Sequence, residues 1–174
     1  MRRKRKQYSA KTLNEIKNQE KSKGLEEAIL MSLMIVDEDC EFTDDMNEEI
    51  IHKAENADAY IIRDVPRLRA LNEKLKAARK VPPADVGQPR SQFSDKQMKK
   101  FKLAWKRKGF EEGLLIMLMV LTQDYDFGDE QVDAFLKRAC LGEHFIHIGA
   151  VDIKDVADII KNHSGTQFDI FINK

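Results

Sequence analysis

The sequence predicts an all-α protein made of two tandem, pseudo-twofold helical repeats packed into one composite bundle. Three observations carry this reading. "KGLEEAILMSLMIV" (Lys23 to Val36) returns as "KGFEEGLLIMLMVL" (Lys108 to Leu121), 85 positions later. The match extends without a gap, with Tyr8 to Lys76 over Phe93 to Lys161, through identical pairs such as Gly24/Gly109, Leu33/Leu118, Asp39/Asp124 and Ile61/Ile146. Apolar residues recur at helical spacing, at Leu25, Ile29, Leu33 and Val36 and at Phe110, Leu114, Leu118 and Leu121. Two copies are too few for a solenoid and resemble a homodimer fused into one chain.

Each copy reads as helix, acidic turn, helix, short connection, helix. The expectation is two similar units with three helices each, in the same order. The first helices start near Ser9 and Ser94, and Ser94 with Gln97 has the spacing of a capping box. Their later turns are apolar nearly all round, which places them in the core. Gly109 and Gly113, four apart, lower helix propensity, so a close backbone approach is expected there. Met31, Met34, Ile35, Ile116, Met119 and Val120 exceed what one stripe needs and are the candidate repeat–repeat or partner interface.

The second helices open with Asp44 and Asp45, or Asp129 and Glu130, at the positive end of the helix dipole. The third helices cover about 66–79 and 152–163, with Pro66 suited to a first turn. The expected boundaries are a basic tail (1–7), a first repeat (8–79), a Pro-rich linker (80–92), a second repeat (93–163) and an extension (164–174) in which "TQFDIFIN" alternates like a short strand.

The 174 residues carry 30 basic and 30 acidic side chains, so charge arguments rest on local clusters. Lys96, Lys99, Lys100, Lys102, Lys106, Arg107 and Lys108 follow one another with no acid between them. Lys99, Lys100, Lys102, Lys106, Arg107 and Lys108 are the candidate contacts to nucleic acid or an acidic partner. The competing reading is a solvated or internally paired face, with Met98, Phe101 and Trp105 on the core side. The acidic turn from Asp37 comes near the count of a calcium loop, but Phe42 stands where that loop needs glycine. Helix capping is the better reading, and Phe42 and Phe127 are read as core plugs.

No phosphate loop, nucleophile elbow or metal-binding His pair occurs, so no catalytic, cofactor or metal residue is assigned and the chain is read as a non-enzyme. Cys40 and Cys140 fit no zinc or redox spacing. The longest apolar run is far short of the roughly 20 residues of a membrane span. These features predict a soluble, cytoplasmic protein.

The stretch "KGFEEGLLIMLMVLTQDYDFGDEQVDAFLKRA", followed by "VDIKDVADIIKNHSG", resembles a family of small uncharacterised helical proteins from phages and prophages of Gram-positive bacteria. Gly109, Gly113, Phe127, Gly128, Phe135, Val151 and Asp152 carry the resemblance. Asp129 and Glu130 depart from it, since a basic residue usually follows Phe-Gly in the family. The resemblance implies a helical fold, a phage-related origin and a bacterial host cell. It brings no functional residue with it. The expected function is protein–protein binding, as an adaptor or inhibitor of a host or phage protein. The alternative is a nucleic-acid-binding regulator that uses the basic helix starts.

Overall fold

A computed structural model describes residues 5–40, 42–79, 92–156 and 158. Residues 1–4 of the basic tail, 80–91 of the linker, 157 and 159–163 of the third helix expected at 152–163, and the alternating "TQFDIFIN" stretch lie outside the described residues. The chain is mostly helical. Its elements are β1 (Lys6–Gln7), α1 (Ala10–Cys40), α2 (Asp44–Glu55), α3 (Ala57–Arg63), α4 (Val65–Ala78), β2 (Gln92–Phe93), α5 (Asp95–Asp124) and α6 (Asp129–His147). No described helix is long and apolar enough to cross a membrane.

Local sequence accounts for most helix ends. Ser94 accepts from the Gln97 amide at 3.3 Å and Gln97 returns a bond from the Ser94 amide at 2.9 Å, closing the expected capping box. The Ser9 hydroxyl takes the Thr12 amide, and Asp64 caps α4 through the Arg67 amide with Pro66 in the first turn. Helix α6 ends in a Schellman motif. Gly149, at φ 71°, donates to Ile146 while Ala150 donates to Phe145. That left-handed backbone is open to glycine at little cost.

Among the described residues the expectation of three helices per copy fails in the first copy, where α1 to α4 make four. The positions matched to α2 and α3 form a single continuous helix, α6. The break in the first stretch falls at Asn56, which donates its side-chain amide to the His52 carbonyl and its backbone N–H to Lys53. Asparagine competes for local backbone groups in this way. Leu141, 85 residues on, has no such group, and α6 runs through it.

Helices α1 and α5 lie side by side in the middle of the molecule and share its most extensive contact. Their contacts advance in step. Leu13, Phe93 and Met98 form a small cluster at the start, with Tyr8, Ile16 and Phe101 against it. Gly24 meets the Lys106 carbonyl and Gly109 meets the Lys21 carbonyl at mid-length. Phe42 packs on Tyr125 and Phe127 at the far end. The two helices therefore run parallel. The antiparallel pair β1–β2, with Lys6 opposite Phe93 and Gln7 opposite Gln92, ties their starts together.

The remaining helices cover this pair unequally. Helix α6 packs on α1 and α4, whereas α2, α3 and α4 pack mainly on α5, with α2 also touching α1. Apolar surface is buried on several sides at once, which explains why neither long helix has a single apolar stripe. Leu33, Leu118, Met117, Leu114 and Leu136 are almost wholly buried in the resulting core. Replacing Leu33 or Leu118 with Ala is expected to cost about 2–5 kcal/mol.

One buried group runs against this apolar pattern. Asn47 is 0% exposed, and neither its amide nitrogen nor its oxygen has a hydrogen-bond partner among the described residues. Val132, 85 residues on, is equally buried. An unpaired buried polar group costs about 1–3 kcal/mol. Asn47→Val, which installs the residue that occupies the equivalent buried position, is therefore expected to raise unfolding free energy by about that amount. A urea-denaturation midpoint that stays put or falls would show that Asn47 is satisfied.

Candidate functional site: the charged seam and the basic end

Glycines set the distance between α1 and α5. A Cβ on Gly24 or Gly109 would overlap backbone of the opposite helix, and one on Gly113 would overlap Ala28. Helices this close bring charged side chains of one within reach of the other. Lys21 Nζ lies 2.6 Å from Glu112, and Lys106 Nζ lies 2.6 Å from Glu27. Burial raises the Glu27 pKa, with Lys106 pulling it back down. Glu26 is raised too, by burial and then by its neighbour Glu27. Arg79, at the end of α4, closes this side by pairing with Glu111 of α5 and Glu143 of α6. The small cleft bounded by Glu27, Lys106, Arg107, Phe110, Glu143 and Ile146 has room for little more than water.

A second polar group lies near the end of α5. Lys53 bridges Glu49 at 2.7 Å and Asp124 at 3.1 Å, and Tyr60 donates to Asp124 at 2.6 Å. Burial opposes ionisation of Asp124, but Tyr60 and Lys53 hold its carboxyl below the usual aspartate value. Burial and the same hydrogen bond push Tyr60 up to about 12. On the other side, Arg138 of α6 pairs with Glu38 and Asp39 near the end of α1. These groups all have partners, and their arrangement is that of a structural network.

The basic residues singled out in the sequence divide into two sets. Lys102 and Lys106 face the seam, toward Glu20 at 3.6 Å and toward Glu27. Trp105 lies between Lys17, 4.5 Å from the ring centroid, and Lys108, 5.2 Å away. Lys99, Lys100 and Lys108 are exposed and Arg107 is half-buried; none of the four forms an ion pair among the described residues. The apolar surplus lies inside. Met31, Ile35, Ile116, Met119 and Val120 are buried and Met34 is partly buried. Met31 packs over Gly142 of α6.

Two features went unread in the sequence. One is a row of exposed apolar side chains on α6 and just beyond it, at Leu141 (54% exposed), Phe145 (39%) and Ile148 (58%). Their i, i+4, i+7 spacing was a legible signal of one helix face. The other is the proximity of the two basic segments, which depends on pairing across the chain. No family model matches this chain, and no curated protein and no solved structure matches it.

Gly109→Ala is expected to destabilise the protein more than Gly142→Ala. The first Cβ meets fixed backbone, whereas the second meets the tip of the flexible Met31 side chain. The roughly 1 kcal/mol of added helix propensity is common to both. Equal thermal melts for the two variants would remove the glycines as the spacing device. A second expectation concerns acid. Because the folded pKa of Asp124 is depressed below 3.8, its stabilising contribution is present above that value and lost as pH falls through the folded pKa. Asp124→Asn should therefore flatten the acid limb of stability against pH, as read by denaturant melts between about pH 2 and 5.

Proposed function

We propose that this chain is a fused pseudo-dimer that works without catalysis, by binding protein, as a phage- or prophage-type adaptor or inhibitor in the cytoplasm of a bacterial host cell. Support for the fused architecture comes from contacts that occur in reciprocal pairs related by the 85-residue offset. Lys21–Glu112 is matched by Lys106–Glu27, and Lys53–Asp124 by Arg138–Asp39. Gln7 faces its own equivalent, Gln92. Leu13 and Met98, also equivalents, share a cluster. In this reading the downstream helices of each copy cover the central helix of the other, so the two copies are interlocked. A phage-related origin rests on the resemblance of the second copy described above.

The observation that carries protein binding is the row Leu141, Phe145 and Ile148. Burying such side chains against a partner gains about 25 cal/mol per Å² of apolar surface. The candidate interface residues Met31, Ile35, Ile116, Met119 and Val120 are committed to the seam and the helices over it, whereas Leu141, Phe145 and Ile148 stay exposed; Ile62 and Val65 are also exposed but lie apart from this row, on α3 and α4. The test is affinity capture from nuclease-treated host lysate, comparing the native chain with a Leu141→Glu/Phe145→Glu/Ile148→Glu variant. The reading expects a protein retained by the native chain and lost by the variant. Identical capture by both would overturn it.

The interlocked architecture makes its own prediction. Either copy produced alone, as residues 8–79 or 93–163, should self-associate, because its central helix lacks cover. A monomeric, cooperatively melting single copy in sedimentation and calorimetry would count against interlocking.

A further inference from the structure

We infer that the end of the molecule holding the starts of α1 and α5 is a binding site for the phosphate backbone of nucleic acid, separate from the apolar row on α6. The inference comes from what the fold brings together. In the sequence the basic run after Asp95 and the basic residues near the N-terminus are some 85 positions apart. The β1–β2 pair and the parallel course of α1 and α5 place them at one end. Residues 5–23 and 92–108 hold thirteen of the thirty basic side chains and only three of the thirty acidic ones, Glu15, Glu20 and Asp95. Lys21 and Lys106 pair with Glu112 and Glu27 just beyond these stretches, so a chain of zero net charge carries an excess of eight positive charges toward this end.

The few acids there do little to neutralise it. Glu20 is buried beneath Lys23 and Lys102 at 3.5 and 3.6 Å, and Asp95 faces Lys6 at 3.5 Å. Arg5, Lys11, Lys96, Lys99 and Lys100 are exposed and form no ion pair among the described residues. Lys96, Lys99 and Lys100 stand at i, i+3 and i+4, so they share one face of α5. Tyr8, Phe101 and Trp105 pack within or beside the seam, and Phe93 is buried there. They are not free platforms for stacking bases. The chemistry on offer is therefore contact with phosphates, which is insensitive to sequence and strongly sensitive to salt. An acidic protein would be drawn to the same charge, but it lacks the regular phosphate spacing that repeated lysines on one helix face can follow.

The experiment is fluorescence anisotropy of the full chain with labelled duplex DNA and with a labelled RNA hairpin, at about 50 and 200 mM salt. Both should bind without regard to sequence. For about four phosphate contacts, affinity should fall roughly 100-fold between the two salt concentrations. Lys96→Glu/Lys99→Glu/Lys100→Glu should weaken binding at least tenfold at the lower salt. Lys76→Glu, at the exposed end of α4, should leave it unchanged, with both variants matching the native chain in circular dichroism. Any of these results would overturn the inference: no binding at the lower salt, equal loss in both variants, or a polyglutamate peptide displacing the nucleic acid at equal charge concentration. If DNA and RNA bind alike, the shared phosphate chemistry is the determinant. If the apolar-row variant also loses nucleic acid, the two sites are not separate and the inference fails in that form.

Discussion

The approach of α1 to α5 at Gly24 and Gly109 is the constraint on which the rest of the structure depends. Each glycine lies against a carbonyl of the opposite helix, where no side chain fits. At that separation Lys21 reaches Glu112 and Lys106 reaches Glu27, so the ion pairs follow from the glycines. If the helices moved apart by a methyl group, the pairs would lengthen and the half-buried carboxylates would lose their partners. A buried charge without a partner is far costlier than a pair is stabilising. The glycines therefore protect the electrostatics as well as the packing.

The same close pair explains the unusual composition of the long helices. A helix buried against one neighbour needs one apolar stripe. Helix α1 meets α5, α6 and α2, and α5 meets α1, α2, α3 and α4. Runs such as Ala28 to Leu33 and Ile116 to Leu121 are therefore buried at every position. Ser32 tolerates this environment because its hydroxyl bonds back to the Ala28 carbonyl at 2.6 Å. Asn47 has no such local remedy among the described residues, which makes it the clearest exception to the apolar core.

What the sequence made legible was local or periodic. The capping box at Ser94, the start at Ser9, the acidic first turn of α6 and Pro66 near the start of α4 all depend on neighbours within four residues, and all appear as read. Leu33, Leu118 and Phe127 were placed in the core by periodicity or position, and they are buried. The break at Asn56 depends on one side chain competing for the backbone, which a pattern match between the two stretches smooths over. The long-range pairs lay beyond sequence reading. Lys53 to Asp124, Arg79 to Glu111 and Arg138 to Asp39 join residues far apart along the chain. The basic run was visible, but Lys102 and Lys106 reach across to acids of α1 while Lys99 and Lys100 have no acidic partner among the described residues. That division is set by which face of α5 meets α1.

The parallel course of α1 and α5 has an electrostatic consequence that a neutral composition conceals. Antiparallel helices of the same sequences would mix the basic start of one with the acidic end of the other, and the field would cancel within a Debye length of about 10 Å. Parallel helices stack like with like. The lysine-rich starts sit together, and Glu38, Asp39 and Asp124 gather at the far end beside Arg138 and Lys53. Thirty residues of helix rise about 45 Å, so the two ends are separated by several Debye lengths and act independently in physiological salt. Repulsion among the basic starts is a cost of this arrangement. The antiparallel β1–β2 pair, the Leu13–Phe93–Met98 cluster and the Lys6–Asp95 pair are located where they offset it.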